Sequence, residues 1–440
     1  MYALIGAGPM GLAAARNLSK HGVPFVGFEL HADVGGLWDI ENPHSTMYES
    51  AHLISSKTMT EFKEFPMDAR TAHYPGHSAM RAYFRAYAKH FDLYPWFRFH
   101  HRVERTQRAD KGWDVTFTHQ GKTQTERFRG LIIANGTLHH PHIPSFQGQF
   151  DGELIHASAY RSADILRDRR VLIVGCGNSG ADIAVEAVHH AARVDLSMRR
   201  GYYFLPKFIG GKPIDTLGGK LQLPRAIKQR VDAQLIRAVV GKPSDYGFPD
   251  PDYPMYASHP VMNTLVLHHA GQGDITPRPD VSRFEGNSVH FVDGAAQDYD
   301  LIILATGYKL HYPFIDRSEL NWKQHSGAPE LYLNTFHPKA DDLFILGMIE
   351  ATGLGWEGRN EQAELLALYL RNLEENTQAA QEFQQRKSQR AQERIDGGYR
   401  YLKLDRMAYY VHKESFLKEI RTETRRLRGG IDELSHRSSR

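Results

Sequence analysis

Apolar positions along the chain fall into two recurring patterns, short unbroken runs and stripes at helical spacing. Runs at 2–5, 24–28, 131–136, 171–174, 194–198, 301–304 and 343–347 have the length of strands buried on both faces. Between them lie helical segments. Residues 12–21 are alanine-rich and stop at Gly22, and a helix runs from Gly180 to about His190. After the turn Tyr74-Pro75-Gly76-His77, the residues Met80, Tyr83, Phe84, Tyr87 and Phe91 recur at three and four positions. That is one apolar helix face, which belongs to the core. Strict alternation appears at Trp113, Val115 and Phe117, with Gly121 turning the hairpin, and again around Val289 and Phe291 before Gly294. Strand and helix alternate through most of the chain, which predicts an α/β fold with parallel sheets.

Two of the apolar runs lead straight into glycine loops. Residues 2–5 are followed by Gly6-Ala7-Gly8-Pro9-Met10-Gly11, and residues 171–174 by Gly175-Cys176-Gly177-Asn178-Ser179-Gly180. This spacing makes a tight turn, lets the backbone approach a pyrophosphate and aims a helix N-terminus at the phosphates. Glu29 stands eighteen positions past Gly11 at the end of the next strand, where such a fold places a carboxylate on ribose hydroxyls. The strand after the second loop ends instead in Arg199-Arg200, with no acid. Guanidinium groups there suit a 2′-phosphate and predict NADPH over NADH, with Ser197 a further donor to that phosphate. Two loops roughly 170 residues apart predict two cofactors, one passing electrons to the other.

Composition narrows the chemistry. With 440 residues, the chain is long enough for roughly two or three domains. Its hydrophobic content of 41% and charged content of 24% are ordinary for a globular protein. The formal net charge of +3 gives no reason to expect nucleic acid or an anionic membrane as partner. One cysteine excludes a disulfide framework and a C-x-x-C redox centre. The first strand begins at Tyr2, which leaves no space for a cleavable signal. No apolar run reaches membrane-spanning length, so the expectation is a cytoplasmic protein, with a homodimer compatible. His139, His140 and His142 invite a metal reading. Pro141 and Pro144 and the lack of a clustered carboxylate or cysteine favour a loop, and no metal is expected.

Phe150-x-Gly152-x-x-x-His156-x-x-x-Tyr160-Arg161 lies just before the second loop and resembles the fingerprint of the flavin-containing monooxygenases. The run 301–308, LIILATGY, resembles the strand and ATGY turn that lead that family back to its first domain. Gly35-Gly36-Leu37-Trp38 is similar to its flavin-contacting turn. The resemblance covers the chain to about residue 372. It implies FAD on Gly6–Gly11, Glu29 and Gly36, Leu37 and Trp38. It implies NADPH on Gly175, Gly177, Asn178, Ser179, Gly180, Ser197, Arg199 and Arg200, with Thr306 and Gly307 also cofactor-binding. The implied reaction runs from NADPH to FAD, then to O2 added at flavin C4a, and ends with one oxygen transferred to a soft nitrogen or sulfur nucleophile.

The resemblance also implies the architecture: two dinucleotide-binding, Rossmann-like domains, the NADPH domain inserted in the FAD domain. Expected boundaries are 1–162 for the first part of the FAD domain, 163–300 for the NADPH domain, 301–372 for the FAD return and 373–440 for a peripheral charged helical extension. Residues 205–260 are rich in Pro and Gly, interrupted by a helix whose apolar face is Ile227, Val231, Leu235 and Val239. They read as an insertion on the substrate side. Residues 48–66 align with the family without a gap, Tyr48 and Lys57 pinning the alignment on both sides of Ile54. Within them Ile54 stands where the family has a flavin-facing asparagine. Isoleucine offers no hydrogen bond; either the drier pocket it makes suffices, or Ser55, Ser56 or His52 stands in. Two further readings follow, an NADPH oxidase that releases peroxide and a non-catalytic NADPH/FAD redox sensor.

Overall fold

Strand Tyr2–Ile5, buried at all four positions, is the middle of a five-stranded parallel sheet. The strands lie in the order Leu343–Ile345, Gly130–Ile133, Tyr2–Ile5, Phe25–Phe28, Phe97–Arg98. The computed structural model describes residues 1–217 and 224–438. Their contacts form two units, the first of 1–45, 57–139 and 310–440, the second of 46–56 and 140–309.

In the first unit the helix Pro9–Lys20 opens immediately after the glycine loop and buries its alanine-rich stretch. A three-stranded antiparallel sheet, Arg102–Arg108, Trp113–His119 and Lys122–Phe128, turns its apolar alternation onto one side of the parallel sheet. Trp113, Val115 and Phe117 join Ala3, Ile5, Phe28, Leu131 and Ile133 in a single core. Helix His77–His90 buries Met80, Tyr83, Phe84 and Tyr87, the stripe the periodicity predicts.

The tail departs from expectation. Helix Gly355–Glu374 packs on Pro9–Lys20 and on Lys413–Ser438, and Gln378–Arg390 packs beside both later helices. Phe383, Phe416, Ile420 and Leu427 are buried, and the Asn372 side chain donates to the Leu427 carbonyl at 3.0 Å. The charged composition conceals a one-sided apolar stripe, so the tail is part of the first unit's packing rather than peripheral.

The second unit repeats the plan. Its parallel sheet runs Glu153–His156, Leu301–Leu304, Arg170–Val174, Arg193–Ser197, Ile275–Arg278, and helix Asn178–Ala187 follows the second loop. A four-stranded sheet joins Gln147–Phe150, Val281–Gly286, Ser288–Phe291 and Ala296–Asp298. Residues 46–56 pack here, where the sequence reading groups them with the first domain. Helix Arg225–Val240 forms as expected, but its apolar stripe does not face inward. Ile227, Val231, Leu235 and Val239 are 39–59% exposed, and no residue of this helix is buried.

Candidate functional site

Each glycine loop contains two kinds of glycine. In the first loop Gly6 has φ +106°, and a β-carbon there would stand 2.7 Å from the Ala134 carbonyl oxygen. At Gly11 it would stand 1.9 Å from the Gly6 carbonyl oxygen. The polypeptide itself demands glycine at both. Gly8 differs: its φ of −70° and ψ of −178° suit any residue, and a β-carbon would meet only Gly36, its Cα at 3.5 Å and its N at 3.9 Å. The second loop repeats this. Gly175 (φ +102°) and Gly180 are hemmed in by the Ala305 and Gly175 carbonyls at 2.6 and 2.0 Å, while at Gly177 nothing lies within 4 Å. The middle glycines therefore keep open space, in front of helices whose first internal bonds are Leu12 N to Gly8 O and Ala181 N to Gly177 O, both 2.9 Å. The amides ahead of them remain for an anion. Ala7 and Pro9 set the first turn, and Met10 is buried behind it.

Glu29 closes the first loop. Its carboxylate is buried and accepts from the Ala7 amide at 2.6 Å and the His31 amide at 2.8 Å. Burial pushes its pKa up, against those backbone bonds. A carboxylate has about four acceptor positions, so two remain for hydroxyl donors. The turn Gly36–Trp38 follows, with Gly36 at φ +58° and 2.8 Å between its imagined β-carbon and Gly8 Cα. Trp38 meets Trp356 edge-on at 6.0 Å. The next residue, Asp39, was not singled out from sequence. It is fully buried and bonded to Arg81 and Arg85 at 3.2 and 2.7 Å, which fixes the turn. The residues fit a dinucleotide with free ribose hydroxyls.

At the second loop Asn178 ties down the chain opposite, its side-chain oxygen accepting from the Met262 amide at 2.7 Å. Ser179 is half-buried at the helix start. Arg199 is exposed, whereas Arg200 pairs with Asp252 at 3.1 Å. Ser197 is engaged elsewhere: the residue is 1% exposed, and its hydroxyl donates to the Pro279 carbonyl at 2.7 Å. Two strand positions earlier, Asp195 is buried among Arg193, Arg278 and Tyr299, a network with no local sequence signal. Cys176 is fully buried, and burial pushes its thiol well above the ordinary range, so it is no thiolate nucleophile.

The fingerprint residues hold this unit's crossovers. His156 Nδ1 accepts from the Ser158 amide at 3.0 Å, which leaves the proton on Nε2, and Nε2 donates to the Gly307 carbonyl at 3.1 Å. Burial holds this imidazole below its ordinary pKa, so the neutral form persists. Thr306 donates to the His142 carbonyl and Gly307 sits at φ +87°. Tyr160 is fully buried and donates to Glu186 at 2.7 Å, Ser50 donates to the same carboxylate at 2.8 Å, and Arg161 donates to the Met47 carbonyl at 3.3 Å. The segment 46–56 is thereby fastened to helix Asn178–Ala187.

Ile54 is half-buried against an apolar cluster of Leu205, Met255 and Met262, with Tyr203, Ile214 and Tyr256 packed beside them. Its apolar side chain matches that insertion. His52 has both nitrogens engaged: Nδ1 donates to the Ser50 carbonyl at 2.9 Å, and Nε2 accepts from the Lys207 ammonium. Lys207 and the half-buried Asp182 act on each other electrostatically, desolvation lowering the lysine pKa and raising the carboxyl. Ser56 is buried, its amide donating to Asp215 at 2.7 Å, and Ser55 is half-buried. In the first unit, Lys57 donates to the carbonyls of Asp68, Ala69 and Thr71 at 2.9, 2.9 and 2.6 Å. Among the described residues no cluster of His, Cys, Asp or Glu could hold a metal. None of the described helices is long and apolar enough to cross a membrane.

Comparison with known proteins agrees with this geometry. The profile described as Flavin-binding monooxygenase-like matches residues 1–424, so the likeness reaches well into the tail. Flavin-containing monooxygenase 5 of Cavia porcellus is 31% identical over 375 residues, covering 80% of this chain and 69% of that protein. Among solved structures, Tmm of a Pelagibacter species superposes with a TM-score of 0.66 at 18% identity, covering 97% of this chain and 89% of that one. A complex of OTEMO with FAD and NADP superposes at 0.66 and 19% identity, covering 87% and 88%. Both have the two-domain, Rossmann-like fold described above. The chain belongs to the flavin-binding monooxygenase-like family.

Proposed function

We propose that the protein is an NADPH- and O2-dependent monooxygenase that passes one oxygen atom to a soft nitrogen or sulfur nucleophile of a small molecule. One observation carries the reading. The middle glycines, Gly8 and Gly177, keep space clear that no neighbouring polypeptide requires, one beside a buried acid and the other beside a strand followed by two arginines. The cofactors are FAD and NADP(H). The chemistry they supply when bound is hydride transfer from NADPH and activation of oxygen on reduced FAD.

The chain's own residues bind and orient. Amides of Met10 and Gly11 receive the FAD pyrophosphate, Glu29 accepts from ribose hydroxyls, and the Gly36–Trp38 turn admits a close approach. Amides of Asn178, Ser179 and Gly180 receive the nicotinamide cofactor's pyrophosphate, and Arg199, the more exposed of the pair, takes the 2′-phosphate. Thr306 and Gly307 hold a backbone turn braced by His156. Ile54 and its apolar neighbours exclude water from their surroundings.

A second reading, an NADPH oxidase releasing peroxide, is favoured by the absence of a side-chain hydrogen bond at Ile54. The deciding experiment measures NADPH consumed, peroxide formed and mono-oxygenated product by mass spectrometry, with a panel of amines and sulfides. Mono-oxygenated product, with peroxide falling short of NADPH consumed by the amount of that product, supports the monooxygenase. Peroxide equal to NADPH with every nucleophile would establish the oxidase.

A further inference from the structure

Helix Arg225–Val240 has no fully buried residue; it is held by the half-buried Ala233, Ile236 and Val240 packed on the apolar clusters and by polar contacts. The Gln229 side chain donates to the Met255 carbonyl at 2.7 Å, and Tyr256 donates its hydroxyl to Asp232 at 2.6 Å. Tyr256 does so from a left-handed backbone, φ +70°, a conformation a tyrosine holds only when its surroundings enforce it. Between this helix and the chain at 202–204 and 250–255 lies a cavity of about 430 Å³, within the size range of small-molecule sites.

The walls of this cavity differ in chemistry. Tyr202, Tyr203, Phe204 and Met255 make one side. Phe204 is buried, and the Tyr203 hydroxyl is already spent on the Tyr253 carbonyl at 3.0 Å, so these rings offer mainly apolar faces. The helix contributes Arg230 and Arg237. They stand two turns apart, about 10 Å along the axis. Asp250 is the one acidic residue on the lining, and it accepts from the Ser244 amide and hydroxyl at 3.2 and 3.0 Å. Two guanidiniums against one carboxylate leave the lining with a net positive charge.

We propose that this cavity is a binding site for an anionic small molecule with an aromatic or branched apolar body, a carboxylate being the anion. The apolar wall receives the body, and a guanidinium grips the carboxylate in a two-pronged contact that a lysine would not reproduce. A cationic amine would meet a positive lining and gain no such contact. The inference concerns binding, and it stands whether the bound molecule is the one oxygenated or another.

Calorimetric titration of the full-length, FAD-loaded protein tests it with three probes of one shape: 3-phenylpropionate, 3-phenylpropanamide and 3-phenylpropylamine. The carboxylate should bind saturably and at least about tenfold more tightly than the amide or the amine, the size of one charge-assisted contact. Arg230→Met/Arg237→Met should erase that preference and leave the amide's affinity unchanged. Ala233→Phe, on the same lining, should weaken all three, with circular dichroism verifying that each variant is folded. Equal affinity for the carboxylate and the amine, no saturable binding of the carboxylate, or a double variant that keeps the preference would overturn the proposal.

Discussion

The imidazole of His156 donates its Nε2 proton to the carbonyl oxygen of Gly307 at 3.1 Å, joining the fingerprint to the ATGY turn within the second unit. The His142 amide reaches the same carbonyl at 2.9 Å. The motif therefore acts by bracing a backbone turn, and no proton transfer is needed to explain it. His156→Leu removes this donor and also strands the Ser158 amide, so it should cost about 1–3 kcal/mol. A lowered melting temperature together with a raised KM for NADPH is expected. An unchanged melting temperature would refute the bracing role.

Gly8→Ala and Gly6→Ala should part company. The first adds a methyl group in ordinary contact with Gly36 Cα, so the fold and melting temperature should stay near wild type while FAD is lost on purification. The second forces a left-handed backbone on alanine 2.7 Å from the Ala134 carbonyl oxygen, which should cost about 1–3 kcal/mol in strain alone. Gly177→Ala should behave like Gly8→Ala toward NADPH. Flavin absorbance and thermal melts separate the two effects. If Gly8→Ala retained FAD at wild-type affinity, the open space would have another use.

How much of this was readable in advance follows from how local each cause is. The demand for glycine at Gly6, Gly11, Gly175 and Gly180 comes from carbonyls fixed by the same strand–turn–helix unit, so spacing alone reveals it. The stripe from Met80 to Tyr87 likewise needs only its own periodicity. Ser197 and Arg200 were legible as residue types but not in their partners, because Pro279 and Asp252 come from distant parts of the chain. The same holds for the tail, whose partner is helix Gly355–Glu374, and for helix Arg225–Val240, where a clear apolar stripe faces outward. Ile54 was recognised as a departure. Its explanation, the cluster of Leu205, Met255 and Met262, lies some 150 to 210 positions further along the chain.

Cofactor preference should rest unequally on the two arginines. Arg200 already shares an exposed ion pair with Asp252, of the kind worth about 0–1 kcal/mol, while Arg199 is exposed. Arg199→Ala should raise the NADPH KM by about tenfold or more, the value of a charge-assisted contact of about 1.5–3 kcal/mol. Arg200→Ala should do less, and neither should alter the KM for NADH. Equal losses with both nicotinamides would remove the 2′-phosphate from the explanation.

Acid should destabilise the first unit through His337. Its Nδ1 accepts from the Lys339 and Ala340 amides at 3.1 and 2.9 Å. Burial, helped by the Lys387 ammonium, lowers its pKa from 6.5 to about 4. The folded value lies below the unfolded one, so the unfolded chain takes up the proton first as pH falls. The histidine's contribution is therefore complete above about pH 6.5 and disappears between there and about pH 4. Urea midpoints measured across that window should fall with pH. His337→Asn, which keeps an acceptor for the two amides and does not titrate, should flatten this part of the profile. A profile equally steep in the variant would assign the acid sensitivity to other groups.

Ile54→Asn bears on what the enzyme releases. The native side chain packs against Leu205, Met255 and Met262, so an asparagine there exchanges apolar contact for an amide with no partner among those side chains. The exchange should cost about 1 kcal/mol or more in stability. It also supplies the asparagine that the family resemblance implies for this position, and the expected consequence is less peroxide per NADPH consumed. The native residue accordingly predicts a wild-type enzyme with sizeable peroxide release, since the nearby His52 is occupied by Ser50 and Lys207. Parallel oxygen-electrode and peroxide assays on FAD-loaded wild type and variant measure the ratio directly. A variant that binds FAD normally yet releases more peroxide would show the reverse. The dry cluster around Ile54, by excluding water, would then itself be the device that limits the leak.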